Sequence, residues 1–461
     1  MCGIVGYVGA DDAAGYLVDG LLRLEYRGYD SAGVSVITAE GGIDTVKSVG
    51  KISVLQRQLE LRPVFGTTGI GHTRWATHGA PTTANAHPHA SCDGRISLVH
   101  NGIIENFQAL RTRLEAAGHR FLSQTDTEVV VHLIEEAYAG DPLAALRDAV
   151  GQVEGAYALA VVFADQPGRI YATRRDSPLA VCSTGDACML ASDAIPLVPY
   201  AKQVHYLMDG EIDVLRADGS IECLDAALAP VACAFDPIPF TAGDIDLGPY
   251  GEYMMKEIHE QPAVIQGLLS RYMRAGRVVF GEGELPGAVV RGFDHVTVVG
   301  CGTSYHAGLY AREIFEDWLG VRCDVEIASE YRYRRPVVDA ATLVIALSQS
   351  GETADTLAAV RLARSRGAFV AAITNVPGSR ITRESDATIL LGAGAEISVA
   401  ATKSFTAQLV LLSLVGLFLA SERGTLGEER LGGYVSDLSE LPLRVEHVLD
   451  DTAQVEWLAR Q

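Results

Sequence analysis

The feature that most constrains the fold is a cysteine at position 2 that leads directly into an apolar segment. The run Gly3 to Val8 predicts a short buried strand, and the turn residues and apolar periodicity after it predict a helix through Leu22. A sheet would therefore hold Cys2 rigidly at the chain terminus. Removal of Met1 would leave a thiol and a free α-amine, with ordinary pKa values of about 8.5 and about 8, on one residue. Cys2 is a candidate nucleophile, although it is equally compatible with a small apolar packing role.

Composition excludes several classes of protein. The 461 residues, 48% of them hydrophobic, suffice for two or three domains. A formal charge of -21 without a basic block argues against a nucleic-acid partner. Eight scattered cysteines without CxxC spacing predict reduced thiols in a cytoplasmic protein, not a disulfide framework or a metal site. The chain start does not resemble a signal peptide, and the apolar stretch 409–420 is short for a bilayer, so we expect no membrane partner.

Two polar segments follow predicted strands in the first half. A strand over 68–72 runs into TRWATHG, where Arg74 is suited to pair with a carboxylate and Trp75 to wall a pocket. A strand over 96–99 ends at His-Asn-Gly, and the amide of Asn101 beside a glycine N–H would suit an oxyanion hole. A surface stack and a plain turn explain these segments equally well when each is taken alone.

A third polar segment, residues 125–128, has the S/T-x-x-E spacing of a capping box before an apolar-periodic helix over 129–138. Capping accounts for Thr125 and Glu128. It does not need Asp126, whose carboxylate would be free to bind an ammonium group at the helix entrance.

Five motifs in this order, MCGIVGY, RGYDSAG, GHTRWATHG, HNGIIEN and SQTDTE, resemble the class II glutamine amidotransferases. The resemblance covers about residues 2–240 and implies an N-terminal-nucleophile αββα sandwich that hydrolyses glutamine. It implies that Cys2 attacks the glutamine side-chain amide with its own α-amine as general base. Asn101 and the N–H of Gly102 would then stabilise the oxyanion.

The same resemblance implies how glutamine is bound. Arg74 would bind the α-carboxylate and Asp126 the α-ammonium group. Thr77 and His78 lie in the same segment as Arg74 and are expected to line the pocket.

The second half begins after a boundary rich in proline and glycine over 230–250. A strand (295–299), a glycine-containing loop (300–304) and a helix (up to 319) come first. The same order then repeats as a strand (342–347), a glycine-containing loop (348–353) and a helix (up to 366). A further strand over 369–374 completes a pattern that predicts a parallel sheet with covering helices. Both hydroxyl-rich loops would lie at carboxyl ends of strands and amino ends of helices, where an anion is favoured.

The glycine spacing of these loops fits neither a dinucleotide nor a nucleoside-triphosphate motif, so we expect no such cofactor. Hydroxyls and backbone amides without a lysine predict a phosphomonoester held by hydrogen bonds. Helix capping explains any one hydroxyl equally well.

The motifs CGTS, SQSGET and VAATKSF resemble the SIS domain, a parallel-sheet αβα fold, over about residues 286–425. The resemblance implies a set of phosphate contacts: Ser304, Ser348, Gln349, Ser350 and Thr353. Thr303 and Val399 would border the sugar. Residues 241–285 are expected to form a linker and a covering helix that includes YMMKEIHEQP.

An amidotransferase domain followed by a SIS domain resembles the family of aminotransferases that form glucosamine 6-phosphate. That family implies glutamine and fructose 6-phosphate as substrates, a homodimer, and an internal ammonia path gated by Trp75. It continues with a second SIS lobe and a tail bearing a Schiff-base lysine, whereas Lys403 is the only lysine in this SIS region. Residues 426–461 are expected to be connecting helices, and the chain to retain glutamine hydrolysis without completing the synthase reaction alone.

Two other functions remain open on the sequence. One is a class II amidotransferase with phosphoribosyl diphosphate or aspartate as ammonia acceptor, but neither an SGGxDS loop nor an apolar strand ending in paired acids before a Thr/Gly loop is found. A non-enzymatic sugar-phosphate sensor would have a vestigial first half, which the five intact motifs argue against.

Overall fold

The computed structural model describes residues 2–76, 78–238, 240–459 and 461. The chain forms two compact units, Met1–Ile245 and Asp246–Gln461. Thr77, assigned above to a glutamine pocket, lies outside the described residues.

The first unit contains two antiparallel sheets. Its strands among the described residues are β1 (Gly3–Val8), β2 (Ser31–Ile37), β3 (Ile43–Val49), β4 (Thr68–Arg74), β5 (His89–Ala90), β6 (Ile96–Ile104), β7 (Gly155–Phe163), β8 (Arg169–Arg175), β9 (Ala180–Ser183), β10 (Cys188–Ala191), β11 (Gln203–Tyr206), β12 (Ile212–Arg216), β13 (Ile221–Leu224), β14 (Pro230–Val231) and β15 (Phe235–Pro237). One sheet has the order β15-β11-β9-β10-β1-β4-β2-β3, and the other β14-β13-β12-β8-β7-β6-β5.

Helices cover the outer faces of both sheets. The helices are α1 (Ala13–Leu22), α2 (Ile52–Leu61), α3 (Phe107–Ala116), α4 (Glu128–Ala137) and α5 (Pro142–Val150). The first two share a buried core with the sheet that contains β1, and the other three share one with the second sheet. A third core lies between the sheets, so the predicted αββα sandwich is confirmed.

Strand β1 is central because both of its faces are buried. Ile4 and Val8 belong to the core between the sheets, whereas Val5 and Tyr7 belong to the core under the helices. Burial on both faces explains why the segment is apolar without alternation. The prediction that a central strand follows Cys2 is confirmed.

The second unit is built on a parallel sheet. Its elements are α6 (Tyr253–Tyr272), β16 (Met273–Arg274), β17 (Arg277–Val278), α7 (Gly287–Gly292), β18 (His295–Gly300), α8 (Thr303–Leu319), β19 (Arg322–Ile327), α9 (Ala328–Tyr331), β20 (Thr342–Ser348), α10 (Ala354–Ser365), β21 (Phe369–Thr374), α11 (Arg380–Glu384), β22 (Ala387–Leu390), α12 (Lys403–Arg423), α13 (Glu428–Asp450) and α14 (Ala453–Ala459). The order β19-β18-β20-β21-β22 is parallel throughout, as predicted.

Helix α12 extends the apolar stretch recognised in the sequence. Among the described residues it is the one helix long and apolar enough to cross a membrane. However, 72% of its most apolar window is buried in this unit, where it contributes Leu411, Leu414 and Val415 to the core. It is the core helix that the sequence predicts.

Three expectations from the sequence are wrong in detail. Strand β6 continues through Ile104 because its pairing with β7 continues, so Asn101 lies within a strand and not after its end. Helix α4 begins at Glu128, which therefore cannot be the third helical residue of a capping box. Cys223 and Cys233 form a disulfide with their Cα atoms 5.8 Å apart, so the eight cysteines are not all reduced.

Candidate functional site

The thiol of Cys2 lies beside the segment that leaves β4. Strands β1 and β4 pair with Gly3 opposite Thr73, which places Trp75 next to the chain terminus. The backbone N–H of Trp75 donates to Cys2 Sγ at 3.3 Å. Burial raises the pKa of the Cys2 thiol, and the Trp75 hydrogen bond and the Arg74 charge only partly oppose this. The thiol is therefore protonated at neutral pH and needs a base to become a nucleophile.

Asn101 is fixed between Cys2 and a buried histidine. Its Nδ2 donates to the Cys2 carbonyl oxygen at 3.0 Å, and its Oδ1 lies 3.0 Å from His72 Nε2. The same His72 nitrogen lies 3.0 Å from the carbonyl oxygen of His100. Since both neighbours are oxygen acceptors, His72 Nε2 carries the proton, and the side-chain amide of Asn101 has one orientation.

A cluster of buried histidines underlies this amide: His72, His87, His89 and His100. The rings of His72 and His87 are 4.0 Å apart, and those of His87 and His89 are 4.7 Å apart. Burial lowers the pKa of His72 to about 3 and also lowers those of the other three. The histidines are neutral, and the sequence analysis missed them because only the packed strands bring them together.

Asp126 is attached to the same strand. Its Oδ2 accepts a hydrogen bond of 2.8 Å from the backbone N–H of Ile104, and its side chain is buried. The neighbouring Thr127 hydroxyl contacts His100 Nδ1 at 2.8 Å. The charge of Asp126 also raises the pKa of the Cys2 thiol, although less than burial does.

The guanidinium of Arg74 is buried and already bonded to backbone. Its Nη2 donates to the carbonyl oxygens of His78 and Gly79, the latter at 3.1 Å. Its Nη1 reaches the Ala80 carbonyl oxygen at 3.4 Å. The ring of His78 packs edge-on against Phe107 at 5.6 Å. A guanidinium has five N–H donors, so this arrangement shapes the loop and leaves Arg74 capacity for a carboxylate.

The RGYDSAG loop supports the Trp75 segment. Asp30 accepts a hydrogen bond of 2.6 Å from the backbone N–H of Ala76, and Tyr29 meets the Trp75 ring edge-on at 5.4 Å. A Cβ on Gly28 would approach the Arg74 carbonyl carbon to 2.6 Å. The structure gives this loop a scaffolding role. Trp75 itself remains 39% exposed, as a residue lining an entrance would be.

In the second unit the two hydroxyl-rich loops are neighbours. Strands β18 and β20 pair with Gly300 opposite Leu347, so CGTS and SQSGET leave the same edge of the sheet. The Ser348 hydroxyl accepts from the Gly351 N–H at 3.0 Å and lies 3.1 Å from the Thr353 hydroxyl. Ser350 accepts from the Glu352 N–H at 3.2 Å.

Helix capping does not explain these hydroxyls. Helices α8 and α10 have Gly302 and Thr353 at their N-cap positions, and neither makes a side-chain cap hydrogen bond. Ser304 lies inside α8, where its buried hydroxyl accepts from Gln408 Nε2 at 3.0 Å. Thr303 is exposed one residue earlier, at the helix start.

The VAATKSF loop is anchored by α6. Buried Glu257 accepts hydrogen bonds from the N–H groups of Ile397 and Ser398 at 2.5 and 3.0 Å. Lys403 Nζ contacts Glu260 Oε2 at 2.6 Å. The YMMKEIHEQP helix therefore does more than cover the sheet, because it fixes the loop that presents Val399, which is 60% exposed.

Known proteins resemble both units of the chain. A family model described as a glutamine amidotransferase domain matches residues 72–199, and one described as a SIS domain matches residues 291–417. A glutamine–fructose-6-phosphate aminotransferase (isomerizing) of Streptomyces coelicolor is 47% identical over 465 residues, covering the whole chain and 75% of that protein. Proteins of the same name from Thermus thermophilus and Clostridium acetobutylicum are 46% and 42% identical, again over the whole chain and 76% and 75% of their lengths.

Proposed function

We propose that this chain, which belongs to the family of isomerizing glutamine–fructose-6-phosphate aminotransferases, cleaves glutamine in its first unit and binds fructose 6-phosphate in its second unit. Its identity to that family's members extends over its whole length, and both expected domains are matched. It is therefore an aminotransferase of hexosamine synthesis with an N-terminal glutaminase. The chain spans about three quarters of the length of these relatives.

The first step takes place at Cys2. After removal of Met1, the α-amine accepts the thiol proton, and the thiolate attacks the side-chain amide carbon of glutamine. The raised pKa of the buried thiol supports the need for this adjacent base. Ammonia leaves with the proton returned by the amine, and water then hydrolyses the thioester to glutamate and free thiol.

The observation that carries this proposal is the fixed amide of Asn101 beside Cys2. Its Nδ2 has two N–H donors, of which the Cys2 carbonyl takes one. The other N–H and the backbone N–H of Gly102 would stabilise the oxyanion. Hydrogen bonds of this kind are effective because His72 has already oriented the amide before substrate arrives.

Glutamine recognition is assigned to charged groups around the thiol. Arg74 would bind the α-carboxylate and Asp126 the α-ammonium group, with Thr77 and His78 lining the pocket. Opposite charges that both influence Cys2 support this assignment. Trp75, exposed and backed by Tyr29, would be the gate through which ammonia leaves.

The second unit would hold fructose 6-phosphate. Its phosphate would be bound by Ser304, Ser348, Gln349, Ser350 and Thr353, with Thr303 and Val399 bordering the sugar. The adjacency of the two loops at the carboxyl edge of the parallel sheet supports an anion site. No metal or cofactor is assigned to either reaction step.

We assign residues 2–240 to the glutaminase, 241–285 to a linker and covering helix, 286–425 to the SIS domain and 426–461 to connecting helices. A homodimer in the cytoplasm is the proposed state.

The test is glutamate release measured while fructose 6-phosphate is titrated. We expect the sugar phosphate to accelerate release, and Cys2→Ala to abolish release while still binding the sugar phosphate. Cys323→Ala, which removes a buried thiol in the second unit, is the matched control and should retain glutamate release. Binding of fructose 6-phosphate by the parent chain without any glutamate release would instead support a sensor.

A further inference from the structure

Four side chains outside the glutamine site converge on one point in the first unit. Cys92 follows β5, His119 lies in the loop after α3, and His132 and Glu135 lie one turn apart on α4. Their ligand atoms all lie within 4.8 Å of one another. Three separate elements therefore contribute to a single cluster of one sulfur, two nitrogens and one oxygen.

The sulfur–nitrogen distances within the cluster are close to those of a tetrahedral metal site, whereas its nitrogen–oxygen distances are shorter. Cys92 Sγ lies 3.7 Å from Nδ1 of His119 and 3.7 Å from Nδ1 of His132. Both nitrogens lie 2.9 Å from Glu135 Oε2. Ordinary zinc bond lengths give edges of about 3.5 Å between sulfur and nitrogen and about 3.4 Å between nitrogen and oxygen.

Each of these contacts is also within hydrogen-bonding distance for its atom types. Two imidazole nitrogens converge on one oxygen of Glu135, and the sulfur of Cys92 lies 3.7 Å from both of those nitrogens. Four potential ligand atoms of three metal-binding types are therefore brought together. We propose that Cys92, His119, His132 and Glu135 bind one Zn²⁺ ion, for which a mixed set of thiolate, imidazole and carboxylate ligands is typical.

The surroundings provide the support that metal ligands need. The backbone N–H of Arg120 donates to Cys92 Sγ at 3.3 Å, a contact that stabilises a thiolate. The other ring nitrogen of His132, Nε2, lies 3.8 Å from Glu128 Oε1. Glu128 is itself held at 2.7 Å by the N–H groups of Leu122 and Ser123. At 3.8 Å the Glu128 carboxylate is too far for a hydrogen bond, but its negative charge would raise the basicity of a ligating His132.

The four ligands differ in how deeply they are buried. His132 is fully buried, whereas Cys92 lies at the surface and leaves a path for the ion to enter. Four protein ligands close the coordination shell, so the site would be structural and not catalytic. The ion would join the turn before β6 to the segment that carries Asp126, bracing the glutamine site from outside it.

The test is metal content. The full chain, without a histidine tag and with Cys2→Ala to remove the reactive thiol, is produced with added zinc, desalted, and analysed by mass spectrometry of its metals. We expect about one zinc per chain. Cys92→Ser and His132→Ala should lose it, and His447→Ala, which removes an exposed histidine from α13, should retain it.

Cobalt(II) provides a second measurement that does not depend on the stability of the buried variant. Replacement of zinc by cobalt should give the visible absorption of a tetrahedral site and a thiolate charge-transfer band, and the surface substitution Cys92→Ser should remove that band. Circular dichroism checks that each variant is folded. A parent chain that binds neither metal, or ligand variants that keep a full equivalent of zinc, would overturn the assignment.

Discussion

The side-chain amide of Asn101 donates a 3.0 Å hydrogen bond to the carbonyl oxygen of Cys2, while its own oxygen faces the Nε2 of His72. Two residues from different sheets, the proposed nucleophile and the proposed oxyanion donor, are thereby held together before substrate binds. Strand β1 positions one, and β6 positions the other. This preorganisation is what makes electrostatic stabilisation of a transition state effective.

Removal of the oxyanion donor should therefore lower turnover more than binding. Asn101→Ala is expected to reduce kcat for glutamate release about 100- to 1000-fold, with KM for glutamine nearly unchanged. Steady-state kinetics measure both constants. Asn106→Ala, an amide that bonds only to the Gln152 and Glu154 backbone among the described residues, is the matched control and should retain kcat. A large rise in KM at constant kcat would instead give Asn101 a ground-state binding role.

The positioning role of His72 can be separated from a merely structural one. His72→Ala should lower kcat about 10- to 100-fold because the Asn101 amide is no longer oriented. His72→Gln, whose amide N–H can still donate to Asn101, should recover part of the loss. Thermal unfolding measured in parallel accounts for damage to the fold. Equal losses in kcat for both variants would show that the imidazole does not act through that hydrogen bond.

Gly102 is required by the backbone conformation of β6. Its φ is 133°, and a Cβ there would collide with the carbonyl oxygen of Ala156 on the paired strand. Gly102→Ala should lower the free energy of unfolding by about 1 to 3 kcal/mol. Denaturant titration measures this change. Gly118→Ala, at an exposed glycine with a similarly positive φ of 101° but open space around it, is the control for strain alone and should cost less.

The buried carboxyl of Asp213 should make stability depend on pH. Burial and the nearby Glu211 raise the pKa of Asp213 to about 8, against the effect of His205 at 3.7 Å. Between about pH 4 and pH 8 the unfolded chain has lost this proton while the native chain keeps it, so stability falls as pH rises.

Asp213→Asn removes that dependence. Chemical denaturation at pH 5 and pH 8 measures the free energy of unfolding of the variant and of the parent. The variant's free energy of unfolding minus that of the parent should increase by at least about 1 kcal/mol from pH 5 to pH 8. The exposed Asp218→Asn is the control and should show no comparable gain, because its pKa is lowered by hydrogen bonds from Ser220. A parent whose stability is flat over this range would show that Asp213 is ionised in the native state.

Weakening the contact between α6 and the VAATKSF loop should affect only the binding of the sugar phosphate. Glu257→Gln weakens hydrogen bonds to the N–H groups of Ile397 and Ser398, so the Kd for fructose 6-phosphate should rise about 10- to 100-fold. Isothermal titration measures the Kd. Basal glutamate release without sugar phosphate should be unchanged, and Glu446→Gln on exposed α13 should alter neither quantity. An unchanged Kd would remove the loop from the sugar site.

Local sequence patterns were sufficient to predict much of this fold. The strand after Cys2 and the parallel sheet of the second unit follow from apolar runs separated by glycine loops, which are visible over a few residues. Asn101 was predicted at a turn because Asn-Gly favours one, but pairing between β6 and β7 overrides that propensity. Long-range packing of this kind cannot be read from a local window.

The same limit applies to groups assembled from distant segments. His72, His87 and His100 meet only once the strands are packed, and the Cys223–Cys233 bond is invisible when cysteines are judged by spacing alone. Cys92 and His119 likewise have no motif spacing. Cys2 and Asn101 could be proposed as nucleophile and oxyanion donor because each lies in a contiguous motif, whereas the groups that contact them come from distant segments.

The most direct test of the central claim is the mass of the amino-terminal peptide from active enzyme treated with an electrophilic glutamine analogue. Cys2 is predicted to be the first residue, with Met1 absent and the adduct on its sulfur, and activity should be lost in proportion to labelling. Active enzyme that still carries Met1, or an adduct on another residue, would contradict a mechanism in which Cys2 is deprotonated by its own amine.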